Sequence, residues 1–310
     1  MALRIGANLA EPALTARHAR VAEEAGFHFV GAGEHVYRDD RPGPTQIALT
    51  SLAVAAGATT RVGLLSSIVI APLHHPVMLA KEAAVVDQAS GGRLTLGVGV
   101  GGEFPGEFRA LGVPTGERGA RTNETIRILR KLWAGGAASH RGKYFAFDDV
   151  ALVPQPAQPG GPKVWIGGRT DAAVGRAARL GDGWLPYLYR PSQYARSLDS
   201  LAGLLAKRGR SIEGFGKGLH LMTAVASTRE ESVRQAAAEL RAGYRYDGSY
   251  EELAERYVLL GPPEAAAARL QEYEAAGAQD ILLSWMVPTH LIEAQIEVVG
   301  RDVIPRIQSG

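Results

Sequence analysis

The sequence predicts an α/β fold, a parallel (β/α)8 TIM barrel with an insertion after its fourth strand. Short apolar, β-branched runs alternate with stretches of helical periodicity along the chain. Hairpin signals between the runs are scarce, and parallel strands joined by crossover helices give that pattern. Eight such strand–helix units fit a chain of 310 residues, the size of one barrel. A doubly wound open sheet would carry a Gly-rich phosphate fingerprint after its first strand, and none follows Leu9. The expected organisation is one domain over residues 1–310 with an inserted, lid-like segment at about 103–161.

Leu3 to Leu9 reads as the first strand, and Pro12 opens a helix that stops at Gly26. Phe27 to Ala32 is the second strand and leads into a polar loop, Gly33 to Thr45. Gln46 to Gly57 has helical periodicity, Arg61 to Ile70 is the third strand, and Pro76 to Ala89 is helical. Ser90-Gly91-Gly92 ends that helix, and Arg93 to Val98 is a buried fourth strand running out into Gly97, Gly99, Gly101 and Gly102. A polar loop from Glu103 to Gly116 precedes a helix from Glu117 to Trp133. Gly135 to Gly161 reads as a long irregular excursion with Tyr144, Phe145 and Phe147 in it, the composition of a lid or binding loop. The alternation resumes with strands at Lys163 to Ile166, Gly183 to Tyr187, Leu219 to Ala226 and Asp280 to Trp285. Helices are expected at Thr170 to Leu180, Ser192 to Arg208, Thr228 to Ala242, Tyr250 to Leu260 and Pro262 to Ala276, with a terminal helix to about Arg306.

Composition narrows the function classes. Thirty-four basic against thirty-two acidic residues leave a net charge of +2, which is no electrostatic footprint for nucleic acid. The absence of cysteine excludes disulfides, thiolate metal sites and a cysteine nucleophile, and it fits a reducing cytoplasm. The N-terminus has no signal-peptide pattern, and no apolar run reaches the roughly eighteen residues that a membrane span needs. The expectation is a cytoplasmic protein with a small-molecule substrate.

In such a barrel, ligand groups sit on the loops after the strands. That rule collects Glu34, His35 and Tyr37 after strand two; Ser66, Ser67 and Ile68 at strand three, with His74 and His75 beyond; and Val100, Gly101, Gly102 and Glu103 after strand four. It adds Gly167, Gly168, Arg169 and Thr170 after strand five, Tyr187 and Tyr189 after strand six, and Ser284 and Trp285 on strand eight. Gly167 to Thr170 ends a strand and opens a helix, where free N–H groups and the positive helix end favour a phosphate. Thr170 is equally a plain N-cap. Glu34-His35 and His74-His75 are adjacent pairs, and neighbouring residues rarely point at one ion, so no metal is expected. No nucleophile has an obvious base beside it.

Several blocks together resemble the bacterial luciferase-like oxidoreductases: AEEAGFHFVGAGEHV, SSIVIAPLHHPVMLAKEAAVVDQASGGRLTLGVGVGG, EFRALGVPTGERGARTNE, VWIGGRT and GDGWLP. Within that family the chain is most similar to the members that use coenzyme F420. The resemblance covers roughly residues 3 to 190 in the family's order; beyond Arg190 it is one of architecture. It implies a flavin or deazaflavin at the C-terminal face, supported at strand three by a non-prolyl cis peptide between Ser67 and Ile68. It places the Gly99-to-Gly102 loop along the ribityl chain and Gly167, Gly168 and their neighbours at the phosphate. His35 matches the family's active-site histidine. Glu34 stands where F420-dependent members commonly have Asp, and a Glu-His pair also occurs in the flavin monooxygenases. The acid that follows the strand-four glycines in the sugar-phosphate dehydrogenases is matched by Gly102, with Glu103 one position later.

The resulting expectation is an F420-dependent oxidoreductase that transfers a hydride. His35 and Glu34 form its catalytic pair, and Ser67, Ile68, Val100, Gly101, Gly102, Gly167, Gly168, Arg169 and Thr170 bind the cofactor. The alternative is an FMN-dependent monooxygenase using reduced flavin and oxygen, and a third reading is a cofactor-free or F420-storing binding protein on the same barrel. The resemblance also implies a homodimer.

Overall fold

The computed structural model describes residues 2–38 and 44–308. In chain order it contains β1 (Arg4–Asn8), α1 (Thr15–Glu24), β2 (Phe29–Ala32), α2 (Ala48–Ala58), β3 (Gly63–Ser66), β4 (Val69–Ile70), α3 (Pro76–Ala89) and β5 (Leu94–Gly99). There follow α4 (Pro105–Ala110), α5 (Arg118–Trp133), β6 (Ala137–Arg141), β7 (Ala146–Ala151), β8 (Lys163–Gly167), α6 (Asp171–Leu180), β9 (Gly183–Leu185) and α7 (Pro191–Ala206). The last third holds β10 (Gly216–Val225), α8 (Arg229–Gly243), α9 (Tyr250–Tyr257), β11 (Val258–Gly261), α10 (Pro263–Ala275), β12 (Asp280–Trp285), α11 (Ile292–Val298) and α12 (Ile304–Gln308).

Parallel pairing runs β12–β1–β2–β3–β5–β8–β9–β10 and closes from β10 back to β12, which makes the eight-stranded barrel. Along each strand the residues alternate. Leu94, Leu96 and Val98 of β5, like Ile5 and Ala7 of β1, are buried in the shell between strands and helices. The other face is a small apolar plug of Phe29, Leu65, Leu185 and Leu282, with Ile68 and Trp165 packed on it. Burial of these outward and inward faces is the main stabilising term, at about 25 cal/mol per Å² of apolar surface. Helix starts follow local chemistry. Thr170, Thr228 and Ser249 cap α6, α8 and α9 by accepting the N–H of the third residue on, worth about 1 kcal/mol each. Among the described residues, no helix is long and apolar enough to cross a membrane.

Four elements differ from the expectation. The third strand is split: β3 ends at Ser66 and β4 resumes beside β5, and the cis Ser67–Ile68 peptide that the resemblance implies stands at the break. Residues 105–110, read as loop, form α4, opened by Pro105. The excursion at 135–161 is ordered around an antiparallel hairpin of β6 and β7, half-exposed on alternating residues. Glu124 of α5 accepts the N–H groups of Tyr144 and Phe145, and Lys81 and Gln88 of α3 hold its return limb. These contacts hold it against α3 and α5, and from its turn Phe145 meets His75 edge-on at 5.5 Å. Finally, α9 stops at Tyr257, and the apolar residues after it, read as helix, form β11. A four-residue apolar run cannot be told from a buried helix end by periodicity alone. β11 pairs with the upper half of β10, Met222 to Val225, taking over the edge that β9 leaves.

Candidate active site

The loop after β2 places Glu34 and His35 in different surroundings. Glu34 is buried, and its carboxylate accepts the N–H of Ile70 at 3.0 Å and that of Ala48, at the start of α2, at 3.4 Å. His74 donates its Nε2–H to the same carboxylate at 2.7 Å. Burial opposes charge on His74, but the hydrogen bond and charge of Glu34, with Glu82 further off, outweigh it and raise its pKa. Glu34 thus ties the β2 loop to β4, to α2 and to the loop before α3.

His35 is a quarter exposed at its side chain. Its backbone N–H donates to Gln46, its ring lies edge-on to Phe104 at 4.7 Å, and Nδ1 faces Glu107 at 3.4 Å. Glu107, on α4, is wholly buried and accepts the Val36 N–H with its second oxygen. A carboxylate on Nδ1 fixes the tautomer and leaves Nε2 as the working nitrogen. Among the described residues, no protein group is bonded to that Nε2. Sequence reading passed over Glu107 because it fell in a stretch taken for loop. The i, i+3 spacing of Phe104 and Glu107 before an apolar Phe108 was the available signal.

Below His35, the break in strand three turns Ile68 into the barrel, where glycines make room for it. A Cβ on Gly99 would lie 2.5 Å from Ile68 Cδ1, and one on Gly167 would lie 2.8 Å from its Cγ2. The glycine run after strand four therefore accommodates the bulge directly, a closer cause than any ligand. Ser67 donates its N–H to Ala32, and its hydroxyl meets Asn8 at 3.5 Å; Asn8 in turn donates to Ser284 at 3.3 Å. Asn8 ends β1 and was missed, although the strand-end rule covers it. Val100, Gly101 and Gly102 turn the chain from β5 towards α4, packed against Ile70, Phe108 and Arg118.

The Gly167–Thr170 turn lies at the same rim. The Gly168 N–H is already given to Leu185 at 3.3 Å, and its carbonyl accepts from Trp184 at 2.8 Å. What remains for an anion is the first turn of α6 beyond its Thr170 cap and the Arg169 guanidinium, which lies over the Tyr187 ring at 5.6 Å. Asp171 in that first turn opposes an anion. Arg176 stands apart from this rim. It is buried between α6 and α5, where its Nε donates to Asn123, and burial lowers its pKa.

Across the mouth is a recess. β10 lies four strands from β3 in either direction round the barrel. The recess is lined by Tyr187, His220, Met222, Tyr244, Ser284 and Met286, at the place where β9 and β10 part. Burial holds the His220 pKa down to about 4, so its ring is neutral near pH 7. Burial, then Glu103, push the Tyr244 phenol up to about 12, with Arg38 opposing. Both are hydrogen-bonding groups without charge.

A closed parallel barrel with a recess and a carboxylate-held histidine at its C-terminal mouth is the layout of a barrel enzyme. The chain belongs to the luciferase-like monooxygenase family, whose model matches residues 4–280. It is 26% identical over 323 aligned residues to the FMNH(2)-dependent dimethylsulfone monooxygenase of Pseudomonas putida, covering 94% of this chain and 86% of that one. It is 24% identical to the F420-dependent glucose-6-phosphate dehydrogenase of Nakamurella multipartita, over 96% of this chain and 93% of that one. Its fold matches the coenzyme F420-dependent tetrahydromethanopterin reductase of Methanopyrus kandleri with a TM-score of 0.82, at 19% identity over 99% of this chain and 100% of that one. The family thus contains both deazaflavin and flavin enzymes among the chain's relatives.

Proposed function

We propose that this chain is an oxidoreductase that binds coenzyme F420 against the Ile68 wall of the barrel mouth and exchanges a hydride between it and a small organic substrate on the opposite wall. The observation that carries the reading is the break in strand three, which presents a partly exposed Ile68 as an apolar shelf, with Gly99 and Gly167 making room for its side chain. A planar tricyclic ring fits such a shelf, and an anionic tail fits Arg169 and the first turn of α6. Bound there, the cofactor supplies the redox chemistry.

The chain's own residues orient the reactants and handle the proton. Ile68, with Ser67 behind it, supports one face of the ring, and the Val100–Gly102 turn runs alongside. His35 gives or takes the accompanying proton at Nε2, with Nδ1 held by Glu107. Glu34 acts through position, by pinning the His35 loop and β4 to each other. Across the mouth, His220, Tyr244 and Ser284 offer neutral hydrogen bonds to the substrate.

An FMN-dependent monooxygenase is the second reading, favoured by the likeness to the dimethylsulfone enzyme over 94% of the chain. Absorption titration of the purified protein separates the two. The expected result is tighter binding of F420 than of FMN, weakening as salt screens the tail from Arg169. Micromolar FMN binding with no F420 binding would transfer the site to the second reading.

The partner is a second copy of the chain. α2 carries hardly any polar residue, yet it exposes Val54, and α3, packed beside it, exposes Met78 and Val85 at 57% and 45%. A helix apolar all round is one that is covered. Light scattering should give twice the chain mass, and Val54→Glu with Val85→Glu should give the monomer.

A further inference from the structure

Arg38 has no role in the assignments above, and its surroundings are unusual for a guanidinium. Its Nε is buried without a hydrogen-bond partner. Its Cζ sits 5.8 Å from the centre of the Phe104 ring, and Phe104 lies edge-on to His35. Among the described residues, no carboxylate is close enough to pair with it. Glu103, on the exposed rim, makes no ion pair with it, and Glu107 is taken by His35 and the Val36 N–H. Contact with an aromatic face offsets part of the cost of holding a cation there. A buried N–H left without an acceptor still costs about 1–3 kcal/mol. Phe104 packs on both Arg38 and His35, so this guanidinium stands at the barrel mouth beside His35.

Across the mouth, the recess presents Tyr187, His220, Tyr244 and Ser284 as hydrogen-bonding groups and Met222 and Met286 as apolar ones. An anionic group entering the mouth beside His35 would find in Arg38 a cation whose Nε–H has no acceptor. We propose that the substrate carries an anionic group, a carboxylate in the simplest case, and that Arg38 is the residue that recognises it, beside His35 and opposite the cofactor shelf. The inference rests on the two-walled reading of the mouth above. It makes Arg38 a specificity residue: the anion is held near Phe104, and the apolar remainder of the substrate lies over Met222 and Met286.

The test uses a matched pair of probes, 4-fluorobenzoate and 4-fluorobenzamide, followed by fluorine NMR on the full chain. The measurement is made alone and with saturating F420 or FMN, whichever binds. Charge-assisted hydrogen bonds are roughly twice as strong as neutral ones. The expected result is therefore benzoate binding about tenfold tighter than benzamide, with parity between them in Arg38→Gln and partial recovery in Arg38→Lys. Thermal melting and cofactor titration of each variant show that the fold is kept. Equal binding of the two probes by the unaltered protein, binding of neither, or a carboxylate preference that survives in Arg38→Gln would each overturn the assignment. Loss of cofactor binding in the unaltered protein, with the carboxylate preference intact, would instead count against the redox reading and leave Arg38 in place.

Discussion

The two walls of the barrel mouth are built in opposite ways. The Ile68 wall is made by backbone: a break in strand three, glycines on β5 and β8, and a loop pinned by one buried carboxylate. The wall across from it is made by side chains. Tyr187 follows β9, His220 and Ser284 sit on β10 and β12, and Tyr244 caps the far end of α8. Backbone geometry of the first kind tolerates almost no substitution, which suits a part that holds a fixed cofactor. A surface of side chains can be exchanged one by one, which suits a part that chooses the substrate.

That contrast can be broken by experiment. The largest effect should come at the centre of the mouth. His35→Ala is expected to lower turnover by about 100- to 10,000-fold while changing cofactor affinity only a few-fold. Unchanged turnover in steady-state assays would reduce His35 to a loop histidine. Next comes Gly99→Val, whose branched side chain would begin 2.5 Å from Ile68 and displace the shelf. Cofactor titration should show at least a tenfold loss of affinity, with substrate handling following only as a consequence. His220→Leu is the matching change on the other wall. It should raise KM several-fold and leave cofactor affinity as it is, since it removes a neutral hydrogen bond worth about 1 kcal/mol. Equal loss of cofactor binding in both variants would erase the distinction between the walls.

How much of this was legible in the sequence differs by wall for the same physical reason. Gly97, Gly99, Gly167 and Gly168 are visible as letters, and Glu34, His35, Ser67 and Ile68 sit within a few residues of strand ends that periodicity locates. Glu34 and His35 were picked out as a pair, but only the coordinates divide their work, because neighbouring residues in a loop face different partners. Tyr187 and Ser284 were collected by the strand-end rule, whereas His220 lies inside β10 and Tyr244 at a helix end. Their meeting depends on β9 and β10 parting at the mouth, and that follows from β11, a strand whose short apolar run reads equally as the end of α9. Glu107 was hidden in the same manner by α4. Of the polar Gly33–Thr45 loop, residues 39–43 lie outside the described part of the chain.

The smallest expected effect concerns the pin behind the first wall. The His74 pKa is raised in the folded protein, so its pairing with Glu34 adds stability that is fully present below the unfolded histidine value, about 6.5. That contribution fades as pH rises through the higher folded value. The difference in melting temperature between the unaltered protein and His74→Gln should therefore be greatest at or below about pH 6.5 and shrink in alkaline buffer. A gap that widens as pH rises would reverse the sign and remove the ion-pair explanation.

The central claim is that ring and substrate occupy opposite walls, and methyl NMR addresses it directly. With isoleucine and methionine methyls labelled, Ile68, Met222 and Met286 report on the two sides of one mouth. A bound aromatic ring shifts the methyls it lies against. Titration with F420 should move the Ile68 signals strongly and leave those of Met222 and Met286 nearly still until a substrate is added. Large shifts at Met222 and Met286, with Ile68 unmoved, would contradict the account.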